Sequence, residues 1–166
     1  MPNYRVMSRL PSVLAAGALS LLPAAPAAAA LGPQARVCAT GGPALLVKVS
    51  GLRNRVGKVR VRAFGGPPAT YFERGRESVW IEEPLPAFGP VEVCVPAMRG
   101  GVYAVDVRHD ANRNRRTDTA DGAGASGNPR LSALDVILRR KPPAGAVQVR
   151  AGGGVTSVPI TVRYRG

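Results

Sequence analysis

The stretch Val155-Thr156-Ser157-Val158-Pro159-Ile160-Thr161-Val162-Arg163-Tyr164 decides the fold, because its second half alternates without a break. Val158, Ile160, Val162 and Tyr164 fall on one side, and Pro159, Thr161 and Arg163 on the other. A period of two is that of a half-buried strand, whose successive side chains point to opposite faces. Pro159 donates no ladder hydrogen bond, which places this strand at a sheet edge or puts the proline at a strand start.

The same period recurs outward from this stretch. Leu45, Val47 and Val49 share a face opposite Leu46, Lys48 and Ser50, and Val59, Val61 and Ala63 alternate with Lys58, Arg60 and Arg62. Asn54, Arg55 and Gly57 separate these two runs, a spacing that reads as a hairpin. Runs at 79–83, 91–95, 102–108 and 146–151 complete about seven strands. Only 131–140 carries a 3.6-residue period over ten positions. The chain has 166 residues, 45% hydrophobic, 20% charged and 5% aromatic, with 20 Gly and 16 Pro. It can bury a core but is punctuated too often for long helices, and collagen, coiled coil and wholesale disorder are excluded. The expectation is an all-β chain, an antiparallel β-sandwich formed by residues 31–166 as one domain, with one long non-strand stretch at 110–130.

Residues 1–30 read differently from the rest. Arg5 and Arg9 precede an apolar run at 13–22, followed by a run of Ala and Pro at 23–30, with Ala28 and Ala30 as the small residues before a cleavage point. This is the pattern of a secretory signal peptide. Spanning a bilayer takes about 20 apolar residues, so no transmembrane segment is expected after processing. Ala35, Arg36 and Val37 before Cys38 do not form a lipid-attachment motif. The expected location is periplasmic or secreted. There, the only two cysteines, Cys38 and Cys94, pair as one disulfide. Cys94 has the opposite parity to Val91, Val93 and Val95, so the bridge should clip the N-terminal segment across an outer or edge position.

The charge is strongly basic, with 23 Lys and Arg against 10 Asp and Glu. Removal of residues 1–30 takes Arg5 and Arg9 and leaves +11. Such a surface attracts anionic partners such as envelope polymers, acidic lipid or nucleic acid, and an anionic envelope polymer or protein is the expected one. Arg supplies 20 of the 23 basic residues, so GC-rich codon usage is a second source of the same charge. No interleaving of aromatic and basic residues and no recognition-helix motif points to specific nucleic-acid binding.

One constellation carries chemistry. Counting from Asp110, oxygen-bearing side chains fall at loop positions one, three, five, nine and twelve: Asp110, Asn112, Asn114, Asp118 and Asp121. Alternate side chains of such a loop converge on one Ca2+, with the backbone carbonyl of Arg116 at position seven. Hard oxygen donors suit Ca2+ over zinc or copper. Position six wants Gly and has Arg115, position twelve has Asp in place of Glu, and no helix pattern flanks the loop, so this is not an EF-hand. Four arginines, Arg108, Arg113, Arg115 and Arg116, oppose the ion, which makes the expected affinity weak. The alternative reading is a set of Asx turns at a loop tip.

The segment Gly101-Val102-Tyr103-Ala104-Val105, followed by His109-Asp110-Ala111-Asn112-Arg113-Asn114 and Asp118, resembles the signature of the bacterial domain-of-unknown-function family 2141. The early strands around Val49-Ser50-Gly51-Leu52 and Gly57-Lys58-Val59 are similar to that family's opening. The family usually has Gly where this chain has Arg113 and Arg115. The resemblance implies an exported β-sandwich of unassigned function and supplies no catalytic residue.

No catalytic residue is assigned on other grounds either. His109 is the sole histidine, and its parity points it to the core side at a strand end, where it holds the loop base. Glu82 and Glu83 are adjacent in a strand and face opposite sides, so they form no carboxylate pair. The leading reading is a non-enzymatic envelope binding or structural module with a weak calcium-ordered loop. The second is a small periplasmic hydrolase or sugar-processing enzyme with its site near His109.

Overall fold

The computed structural model describes residues 29–130 and 140–165. Most of the expected signal peptide and the periodic stretch at 131–139 lie outside the described residues. The strands are β1 (Ala44–Ser50), β2 (Lys58–Phe64), β3 (Val79–Pro84), β4 (Val91–Pro96), β5 (Val102–Asp110), β6 (Gly122–Ala125), β7 (Gln148–Arg150), β8 (Val155–Thr161) and β9 (Arg163–Tyr164). Among the described residues two short α-helices, α1 (Ala35–Ala39) and α2 (Ala144–Val147), precede β1 and β7, and a 3-10 turn spans Pro68–Thr70.

The strands form two sheets, one ordered β4-β1-β8 and the other β3-β2-β5-β6-β9, with β7 also paired to β5. Their inner faces meet in one core that includes Leu45, Val47, Val61, Val93, Val105, Val107, Val158 and Ile160, all buried. These are the inward positions that the alternation assigned, and the sandwich follows from burying both faces against each other. Pro159 sits on β8, an edge strand of the small sheet, as its missing donor requires.

Four readings of the chain need correction. First, β1 and β2 are not a hairpin. β1 lies between β4 and β8, β2 lies between β3 and β5, and 51–57 crosses from one sheet to the other. Two strands with one apolar face each can meet edge to edge or face to face, and alternation alone does not separate the cases. Second, the sandwich is not wholly antiparallel, since β1 and β8 run parallel from Ala44↔Val155 to Ser50↔Thr161.

Third, 110–130 is not strand-free. It contains β6, whose Gly-Ala-Gly-Ala sequence has no β-branched or large residue to report a period. The glycines are required by packing. A Cβ on Gly122 would lie 2.4 Å from Val162 Cγ1, and one on Gly124 would lie 2.6 Å from the Thr161 carbonyl oxygen. Fourth, the final alternating run is broken at Val162, so β8 stays in the small sheet while β9 joins the large one.

β5 serves β6 and β7 in succession along one edge, β6 at Asp106–His109 and β7 at Val102–Ala104. Fully buried Ser126 fills the gap. Its Oγ accepts from the Val105 N–H at 3.0 Å and donates to the Val147 carbonyl.

Cys38 and Cys94 are joined in a disulfide with a Cα–Cα distance of 6.0 Å. Leu31 extends the small sheet beyond β4 through Leu31 N–H to Glu92 O at 2.6 Å and Cys94 N–H to Leu31 O at 3.0 Å. Cys94 pairs with Leu46 in the β1–β4 register, on the outward parity, and the bridge fastens α1 over that position.

Candidate functional site

The β5–β6 connection rises from one end of the sandwich, and its base is fixed by His109. This side chain is fully buried, as its parity requires. Its Nδ1 is hydrogen-bonded to the Tyr164 hydroxyl, and its Nε2 lies 2.6 Å from the Val56 carbonyl oxygen. The Tyr164 hydroxyl also accepts from the Arg53 N–H at 3.0 Å. One imidazole therefore ties together the 51–57 crossing, the end of β5 and β9. Gly57 completes the junction at φ +93°, where a Cβ would lie 2.0 Å from the Asp110 carbonyl oxygen. Sequence reasoning found His109 but missed Tyr164 and Gly57 as its companions. The usable signal was that both rings sit on inward positions at strand ends.

Beyond this base the sequence-assigned residues are linked in one hydrogen-bond network. Asp110 is buried, and its two oxygens accept from the N–H groups of Asn114 at 3.2 Å and Arg115 at 3.0 Å. Asn112 Oδ1 accepts from Asn114 N–H at 3.2 Å, and Asn114 Oδ1 accepts from Arg116 N–H at 2.7 Å. Both side-chain amides turn their NH2 groups to Asp118 Oδ2, at 2.9 Å from Asn112 and 2.6 Å from Asn114. These two donors, with the Ala120 N–H, hold the Asp118 carboxyl below its ordinary pKa. Arg116 joins only through its N–H. Arg113 and Arg115 both adopt φ 60°, the left-handed conformation that glycine takes without a steric penalty.

Asp121 closes the loop from beneath. It is 6% exposed, its Oδ2 accepts from the Asp118 N–H at 3.3 Å, and Arg108 Nε stands 3.8 Å from the same oxygen. Its Oδ1 is buried with no hydrogen-bond partner among the described residues. Among the described residues no group of three or more His, Cys, Asp or Glu is arranged to hold a metal ion. A cation here would therefore need asparagine oxygens as well as carboxylates.

Asp118, Asp121 and Arg108 also line an open groove of about 680 Å³, together with Phe72, Lys141 and Tyr164. Arg60, Arg62 and Arg108 share the outer face of the large sheet. Arg62 is paired with Asp106, whereas Arg60 faces Arg108 across the ladder and its Nε is buried without a hydrogen-bond partner among the described residues. Burial lowers the Arg60 pKa, and the Arg108 and Arg62 charges push it the same way. Arg140 borders the same groove as Arg108, while Arg139 is outside the described residues.

The architecture is a mostly β, two-sheet sandwich with a disulfide across one edge, and no helix among the described residues is long and apolar enough to cross a membrane. The family model described as "Uncharacterized protein conserved in bacteria (DUF2141)" matches residues 47–158, and the chain belongs to that family. No curated protein and no solved structure matches the chain.

Proposed function

We propose that this chain is exported to the periplasm or secreted, and acts there as a non-enzymatic binding or structural module of the envelope whose 110–121 loop is ordered by a weakly held Ca2+. The observation that carries the reading is Asp121 Oδ1, a buried carboxylate oxygen without a hydrogen-bond partner among the described residues. Such an atom costs free energy unless something completes it. Asp110, Asn112, Asn114 and Asp118 supply further oxygens within the same network. The two amides face Asp118 with their NH2 groups while their Oδ1 atoms accept from the Asn114 and Arg116 N–H groups. A cation beside Asp118 would compete with those N–H groups for Asn112 Oδ1 and Asn114 Oδ1. The disulfide supports an oxidising compartment, and the basic surface suits an anionic envelope polymer or protein.

Isothermal titration of the oxidised chain lacking residues 1–30 with Ca2+ tests the ion directly. The expected dissociation constant lies at roughly 0.1–1 mM, the range of extracellular modules. Asp121→Asn should weaken it at least tenfold. Absence of binding at ten millimolar Ca2+ would remove the ion from the reading.

A further inference from the structure

The loop end of the sandwich has a second property, independent of any ion. Three connections, 51–57, 85–90 and 111–121, emerge together there, because Lys58 pairs with both Pro84 and Asp110 while Val49 pairs with Val91. They touch one another. Arg55 Nη2 donates to Gly89 O at 2.8 Å, Leu85 N–H donates to Gly57 O at 3.3 Å, and His109 holds Val56 O. Next in sequence to Arg55 and Gly89 are two apolar side chains that the core does not use, Val56 at 57% exposure and Phe88 at 87%.

Phe88 lies exposed on the 85–90 connection. Pro84, Pro86 and Pro90 flank it and restrict the backbone of its short connection. Around these tips, Arg53, Arg55, Arg113, Arg115 and Arg116 are all exposed. The 51–57 and 85–90 connections contain no acid, and in the third only Asp118 is exposed, since Asp121 is buried.

From this arrangement we infer that the loop end docks on an anionic lipid bilayer, with Phe88 and Val56 entering the headgroup boundary and the five arginines contacting lipid phosphates. Charge alone would suit any polyanion. The apolar tips decide between them, because a hydrated polysaccharide offers no apolar phase to receive a phenyl ring, whereas a bilayer interface does. The inference rests on the export proposed above, but not on Ca2+.

The test is co-sedimentation of the oxidised chain lacking residues 1–30 with phosphatidylglycerol–phosphatidylcholine vesicles, run in chelator and again in Ca2+, beside phosphatidylcholine vesicles and soluble polygalacturonate. Binding is expected on the anionic vesicles in chelator, with none on phosphatidylcholine. Replacing Arg113, Arg115 and Arg116 by Ser should lower the partition coefficient about a hundredfold, as each basic side chain near an anionic surface contributes roughly fivefold. Phe88→Ser should lower it about tenfold, and Phe88→Trp should retain it. Equal vesicle binding by Phe88→Ser and wild type, or binding to polygalacturonate with none to vesicles, would overturn the inference. If vesicle binding fails while Ca2+ titration succeeds, the lipid partner falls and the calcium loop stands. Vesicle binding without Ca2+ binding gives the converse.

Discussion

Reduction of the Cys38–Cys94 bridge should destabilise the chain heavily while changing the native structure little. The two residues are 56 apart in sequence. Closing a loop of that length removes about 14 cal/mol/K of unfolded-chain entropy, or about 4 kcal/mol at 25 °C. Little native structure offsets this. After reduction Leu31 keeps its hydrogen bonds to Glu92 and Cys94, so the N-terminal segment stays on the edge of β4. A domain of ~136 residues unfolds with roughly 0.29 kcal/mol/K of entropy, which turns the loss into a fall in Tm of about 15 °C. Scanning calorimetry of the oxidised chain, the reduced chain and a Cys38→Ala/Cys94→Ala variant measures it. The variant should melt slightly below the reduced chain, since Cys94 is fully buried and its truncation leaves a small cavity. A fall of less than about 5 °C on reduction would refute the loop-entropy argument.

Two further outcomes concern the loop end. Gly57→Ala forces a Cβ to within 2.0 Å of the Asp110 carbonyl oxygen at φ +93°, and should cost at least ~3 kcal/mol in a denaturant titration; a cost below ~1 kcal/mol would show that the crossing can move freely away from β5. The Asp118 carboxyl has a folded-state pKa below its ordinary 3.8, because of the Asn112 and Asn114 amides and the Ala120 N–H. Its contribution is therefore complete above the unfolded value and lost as pH falls through the folded one. Amide exchange at 112–120 should accelerate over that acid window, and Asp118→Asn should flatten the dependence. An unchanged acid profile in that variant would assign the effect to another carboxylate.

The fold was legible wherever side chains were large. Val158, Ile160 and Val162, or Val59, Val61 and Ala63, report a buried face because burying them drives the strand into the sandwich. Pairing partners were not legible, because Val47 and Val61 have the same alternation whether their strands are neighbours in one sheet or stacked across two. β6 was silent for a different reason, since its role is to leave room for Val162, Tyr164 and Ile160, and an absent side chain has no period. At the candidate site, the spacing from Asp110 to Asp121 located the loop. The Tyr164–His109–Val56 tie depends on segments more than fifty residues apart meeting at one end, and the spacing does not report that one oxygen of Asp121 is buried and unpaired among the described residues. Phe88 was invisible as a candidate, because a phenylalanine between prolines looks the same whether its ring is covered or exposed.

The most direct measurement is the Tm of the oxidised chain in chelator and in five millimolar Ca2+, alongside Asp110→Ala. With a dissociation constant near 0.5 mM, binding adds about 1.4 kcal/mol, which raises the wild-type Tm by about 5 °C. In Asp110→Ala the sandwich should still fold and the Ca2+-dependent rise should vanish, because Asp110 anchors the Asn114 and Arg115 amides at the head of the loop. Identical wild-type Tm values in chelator and Ca2+ would contradict the calcium-ordered loop and leave Asp110, Asn112 and Asn114 as caps on backbone amides.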